Sequence, residues 1–174
     1  MINPTIIKFD TLESTNDLLK TYFESFPDLT FVQTNFQTKG RGQFDHTWDS
    51  NKDENLLFSV LLKEAFTNKR HQIKDIILNT LFTFFNEQEI KVHFKEPNDL
   101  FVGDEKICGI LIETRYEESH LDYMIIGIGL NVNQLKFNGY KATSMKLIHQ
   151  KDFEIDVLFA RLVDILTDQL NSSN

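Results

Sequence analysis

A single cysteine, Cys108, in 174 residues rules out an internal disulfide and agrees with a reducing compartment. It lies in the apolar run that starts at Ile107, the setting of a packed, inert thiol. No apolar stretch approaches the roughly 18 residues a membrane helix needs, and the start, MINPTIIKFD, lacks the basic-then-apolar pattern of a secretory signal. The chain therefore reads as cytoplasmic, with no membrane partner. Cations are also scarce: 18 Lys and Arg stand against 26 Asp and Glu, a net charge of −8. Neutralising a phosphate backbone needs a dense basic face, so broad nucleic-acid binding is excluded. Any phosphate must be met locally.

Several motifs are missing too. No GxxxxGK[ST], GxSxG or HExxH occurs, which leaves P-loop, serine-elbow and zincin chemistry without support. The five histidines, at 46, 71, 93, 120 and 149, show no metal-ligand spacing, so no structural zinc is expected. No repeat, linker or low-complexity segment breaks the chain, and its length suits one domain over residues 1–174.

What is present is an ordinary globular composition, 41% hydrophobic and 25% charged, with sixteen phenylalanines to fill a core. Thr5 to Phe9 reads as a strand, followed by a helix toward Phe23 with Ser14 or Thr15 as its N-cap. Leu29 to Gln37 is a second extended run, and NLLFSVLL a fully buried strand. Residues His71 to Asn86 show helical spacing. Alternation from Ile90 to Phe94, the GDEK turn and the polar break at Glu117 to Ser119 predict a strand and two hairpins. A last helix runs from Phe153 to Leu170, with Val157, Leu158, Leu162, Leu166 and Leu170 on its buried face. Strands with helices at intervals imply an α+β fold.

Two loops invite a functional reading. QTKGRGQFDHTW, residues 37 to 48, begins like a dinucleotide fingerprint but lacks the third glycine and the following helix. It is either a solvated loop or a local anion site in which Lys39 and Arg41 pair with carboxylate or phosphate. KEPND, residues 95 to 99, is an Asx turn or a site: Asn98 offers an amide that can match a purine edge, and Asp99 can hold a metal or orient a lysine. Lys106 follows a turn and projects over a buried region. Gly127 and Gly129 weaken a strand unless something must approach its backbone, and Asn131 closes that strand.

Taken in order, ESTND, QTKGRGQ, the single tryptophan, NLLFS, KEPNDL, KICGILIE and GIGLNVN resemble the catalytic domain of the biotin protein ligases, across roughly residues 5 to 150. The resemblance implies a mixed, largely antiparallel sheet covered by helices on one side, of the class II aminoacyl-tRNA synthetase and biotin ligase type. It implies ATP, Mg2+ and biotin as cofactors and substrates, a biotin carrier protein domain as partner, and a homodimer through a sheet edge as an option. It puts Ser14, Thr15, Gln37, Gly40, Arg41, Trp48 and Gly109 around biotin, and Lys95, Asn98, Asp99 and Asn131 around ATP. Lys106 and Arg41 become the catalytic pair.

Motif departures from the family pattern imply a weakened enzyme: the loop has Asp45 and His46 where glycine and a base are usual and Gln43 for arginine, and Glu96 replaces tryptophan, a charge in an apolar wall. Neither a winged-helix domain in front nor an SH3-like domain behind is expected. The alternatives are a biotin- or adenylate-binding module, or a lipoyl or octanoyl transferase of the same superfamily.

Overall fold

The computed structural model describes residues 1–44 and 46–172. Seven strands form one sheet in the order β1-β2-β3-β7-β6-β5-β4. They are β1 (Thr5–Leu12), β2 (Thr30–Gln37), β3 (Asn55–Leu62), β4 (His93–Lys95), β5 (Asp99–Val102), β6 (Glu105–Glu117) and β7 (His120–Asn131). Only β1 and β2 run parallel; every other neighbouring pair is antiparallel. The architecture is α+β, as the strand and helix pattern predicts.

β3 lies between β2 and β7 and all eight of its residues are buried, which is why it reads as an apolar run interrupted only by Ser59 after Asn55. Its even-numbered residues, Leu56, Phe58, Val60 and Leu62, join the large core under α2 (Ile73–Glu87) and α4 (Ile155–Ser172). There Phe58 meets Phe31 and Phe159 with ring centroids 6.3 and 5.3 Å away. The opposite face carries a smaller cluster in which Leu61, Val32 and Ile125 pack with Leu19 of α1 (Thr15–Tyr22). Helices therefore lie on both faces, and the expectation of a one-sided cover is corrected: α1 is too short to cover its face and leaves the rest of it open for a site.

Local chemistry explains the α1 start. Ser14 is extended (φ −157°, ψ 136°) and its Oγ accepts from the Asp17 amide at 3.3 Å. Gly103, at φ +59°, closes the β5–β6 hairpin in a conformation L side chains disfavour. The strand foreseen at residues 90–94 begins only at His93, because Ile90 and its neighbours still close the end of α2. Val157 is 66% exposed. The α4 stripe instead includes Phe159, Val163 and Ile165, so a five-leucine-type spacing alone underestimates the width of the buried face. Three short elements leave no clear sequence pattern: 3-10 turns at Phe23–Ser25 and Glu64–Lys69, and α3 (Met145–His149). The second 3-10 turn places Lys69 in the core, where its ammonium donates to the Leu170 carbonyl near the C-terminus of α4.

Candidate active site

The open part of the α1 face is a cavity of about 710 Å³, within the range of small-molecule sites. Its floor is β6 and β7, where Gly109 pairs with Gly129 and Leu111 with Gly127. The first turn of α1, the loop after β2, the β4–β5 turn and the loop after β7 form its walls. The strand glycines are explained by what lies on them. A Cβ on Gly129 would stand 2.4 Å from Cε2 of Trp48, and one on Gly109 2.7 Å from its Cζ3. The indole therefore rests flat on the floor, with the Lys106 ammonium 5.3 Å from its ring centre.

Because Trp48 is the chain's only tryptophan, its seating has a direct readout. Gly129→Ala should push the ring off the floor, shift the emission to the red, and weaken any ligand that uses the same floor. Unchanged emission would contradict the packing described.

Arg41 is the cation of the glycine loop that reaches the cavity. Its Nε and Nη2 grip Asp17 at 3.2 and 2.7 Å, and Nη2 also donates to Glu113 at 2.7 Å. Three of its five N–H groups are thus engaged, and among the described residues Nη1 has no hydrogen-bond partner. Burial alone would lower the Arg41 pKa, but the two carboxylates outweigh it and raise it. Lys39 does not join the site; it pairs with Glu13 at the surface over 2.9 Å. Gly40 is not a cavity-lining residue either. It lies under the Trp48 backbone, where a Cβ would come within 2.5 Å of the Trp48 carbonyl. Nor is the Gly42 amide free for an anion, since it donates to the His46 carbonyl at 2.7 Å. His46 and Gln43 line the cavity, while Asp45 lies outside the described residues.

On the meander side, Lys106 lines the cavity and pairs with Asp99 at 2.7 Å. Lys95 stands 4.8 Å over the Phe101 ring, facing the same space. The two asparagines are half-committed. Asn98 donates its amide to the Ile110 carbonyl at 2.8 Å, and Asn131 donates to the Thr143 carbonyl at 3.1 Å and that of Lys106 at 3.4 Å. Their oxygens remain as acceptors, so a purine amino group suits them better than a full donor–acceptor edge. Glu96 points away and pairs with Lys74 at 3.0 Å. The expected charge in the wall is absent; Pro97 lines the cavity in its place.

Ser14, Thr15 and Gln37 come together at the α1 end, where Gln37 Oε1 accepts the Thr15 amide at 2.8 Å. Three residues passed over in the sequence join them: Asn16, Ser59 and Glu113. Two signals existed. Asn16 directly follows Ser14 and Thr15, and the two-residue strand period puts Glu113 on the same face as Gly109. Cys108 is fully buried on the other face and burial pushes its thiol pKa up, which agrees with inert packing.

Among the described residues no group of three His, Cys, Asp or Glu side chains gathers as a metal site. Of the cavity carboxylates, Asp99 and Asp104 each hold a lysine, Lys106 and Lys141, while Asp49 lines the cavity without an ion pair among the described residues. Asp99 thus orients a lysine. No described helix is long and apolar enough to cross a membrane.

Residues 8–131, which include the floor, Arg41, Lys106 and Asn131, match the biotin/lipoate A/B protein ligase family. The bifunctional ligase/repressor BirA of Bacillus subtilis is 33% identical over 135 residues, 74% of this chain and 41% of that protein. This chain thus spans about two fifths of the curated relatives it matches, 41% and 38% for two of them. Among solved structures, the biotin protein ligase of Aquifex aeolicus in complex with biotin and ATP superposes with a TM-score of 0.82 at 26% identity, covering 96% of this chain and 70% of that one. The Leishmania major biotin protein ligase in complex with biotin gives 0.79 at 25%, covering 96% and 74%.

Proposed function

Since the chain belongs to the biotin/lipoate A/B protein ligase family, we propose that it is an ATP-dependent biotin protein ligase. The observation that carries this reading is the convergence of Arg41 and Lys106 on one cavity whose glycine floor is covered by Trp48. In the first step the biotin carboxylate attacks the α-phosphate of ATP, giving biotinyl-5′-AMP and pyrophosphate. Two anions must approach one another, so fixed cations at the point of charge build-up lower the barrier. In the second, a lysine amine of a biotin carrier domain attacks the mixed anhydride and AMP leaves. Magnesium arrives with the nucleotide phosphates rather than on protein ligands.

Ser14, Thr15 and Gln37 take the ureido ring of biotin, Trp48, seated on Gly109, takes its tail, and Arg41 its carboxylate. Lys106 meets the acyl–phosphate junction, Lys95 the phosphates, and Asn98 and Asn131 offer acceptors to the adenine amino group. The engagement of Arg41 by two carboxylates favours one competitor, a module that binds biotin and turns over poorly. Calorimetry with biotin, with and without ATP and magnesium, followed by incorporation of labelled biotin into a carrier domain, separates the two. The ligase reading requires binding and transfer; binding without transfer leaves the module, and no biotin binding ends both.

A further inference from the structure

A line of polar side chains runs from Thr15 to Arg41, both of which line the cavity. Thr15 Oγ1 lies 2.6 Å from Ser59 Oγ. Ser59 Oγ donates to Asn16 Oδ1. Asn16 Nδ2 donates to Glu113 Oε2 at 2.8 Å. The same carboxylate oxygen takes Nη2 of Arg41 at 2.7 Å. Thr15, Asn16 and Ser59 are all at most 3% exposed, so water does not readily substitute for a missing partner. Gly127 makes room for the line, since a Cβ there would stand 2.3 Å from Asn16 Oδ1.

Within this line Glu113 has the sign of its hydrogen bonds fixed, because an ionised carboxylate only accepts. Burial pushes its pKa up, but the hydrogen bonds from Asn16 and Arg41 and the charges of Arg41 and Lys20 more than offset this and hold it below its ordinary value. The sign then passes outward. Asn16 must present its amide nitrogen to Glu113 and therefore its oxygen to Ser59. Ser59 uses its one proton on that oxygen and must accept from Thr15. Thr15 uses its own proton on Ser59; its contact with Gln37 Oε1 is longer, 3.1 Å, and that oxygen already accepts the Thr15 amide. Thr15 Oγ1 is left with lone pairs for the cavity.

We propose that Glu113 and Asn16 are positioning residues that make Thr15 an obligate acceptor, so that the pocket selects a ring presenting N–H and rejects an isosteric ring presenting oxygen. The inference rests on the biotin reading, since the ureido ring carries two N–H groups.

The test compares biotin with its two carbamate analogues, in each of which one ring N–H is an oxygen, by calorimetry on the full chain. Wild type should prefer biotin over one analogue on the order of 100-fold, because an oxygen facing an acceptor leaves both unpaired. Glu113→Gln would keep an acceptor there, because Arg41 donates to the same oxygen as Asn16; in Glu113→Leu no acceptor holds the Asn16 amide, the line can reverse, and Thr15 can donate to the oxygen. The preference should fall to about 10-fold or less. The lost charge beside Arg41 affects all three ligands alike, since they share one carboxylate tail, and so cancels in the ratio. Asn16→Leu, which cuts the line at similar volume, should collapse the ratio as well. A folded Glu113→Leu with the wild-type ratio overturns the inference, as does a wild type that binds biotin without discrimination. A wild type that binds no biotin overturns the functional reading and the inference with it.

Discussion

Lys106→Ala will lower the rate of biotin-dependent pyrophosphate release by about 10²- to 10³-fold, the usual cost of removing one preorganised donor from a developing anion. The ammonium is well placed for this role: Asp99 fixes it at 2.7 Å, the Trp48 ring lies 5.3 Å away, and it still opens on the cavity. Its side chain keeps 32% of its exposure, so the truncation opens little core volume, but the largely buried Asp99 loses its cation and thermal stability falls as well. Rates are therefore compared at a temperature where both proteins are folded. A variant that releases pyrophosphate at the wild-type rate would remove Lys106 from the chemistry.

Arg41→Ala acts on binding. Its loss should raise the Kd for biotin by about 10- to 100-fold, the equivalent of a hydrogen bond to a charged partner worth roughly 1.5–3 kcal/mol. Two effects add. The guanidinium edge disappears, and Asp17 and Glu113, which it now neutralises, face the incoming carboxylate bare. Arg41→Lys should recover little, because an ammonium cannot hold Asp17 through two parallel bonds and still present an edge. Calorimetric titration decides it; unchanged affinity would mean that biotin is held elsewhere in the cavity.

How much of this was legible in the sequence depends on how local the determinant is. β3 and α1 were readable because burial on both faces leaves an apolar run interrupted only by Ser59 and an N-cap serine leaves a local signature. The two-sided cover was not, since whether α1 packs above or below the sheet is decided by Leu19 meeting Leu61 and Ile125 from distant strands. The same holds in the site. Arg41, Lys106 and Trp48 stand inside motifs and could be named from them. Lys39 stands in the same motif yet faces Glu13 and solvent, because the motif does not record the direction of a side chain. Glu96 looked like a charge in a wall for the same reason, and Lys74 of α2 draws it outward. Glu113 is the clearest case: its importance comes from Asn16, 97 residues away, and from Arg41, 72 away. No spacing rule reaches that far.

The central claim, that Arg41 and Lys106 share a cavity in order to join a carboxylate to an α-phosphate, is tested most directly by exchange of labelled pyrophosphate into ATP. Purified protein with magnesium and ATP should exchange only when biotin is added, and Lys106→Ala should suppress the exchange. Background exchange at saturating biotin, from a protein shown to be folded, would contradict the account.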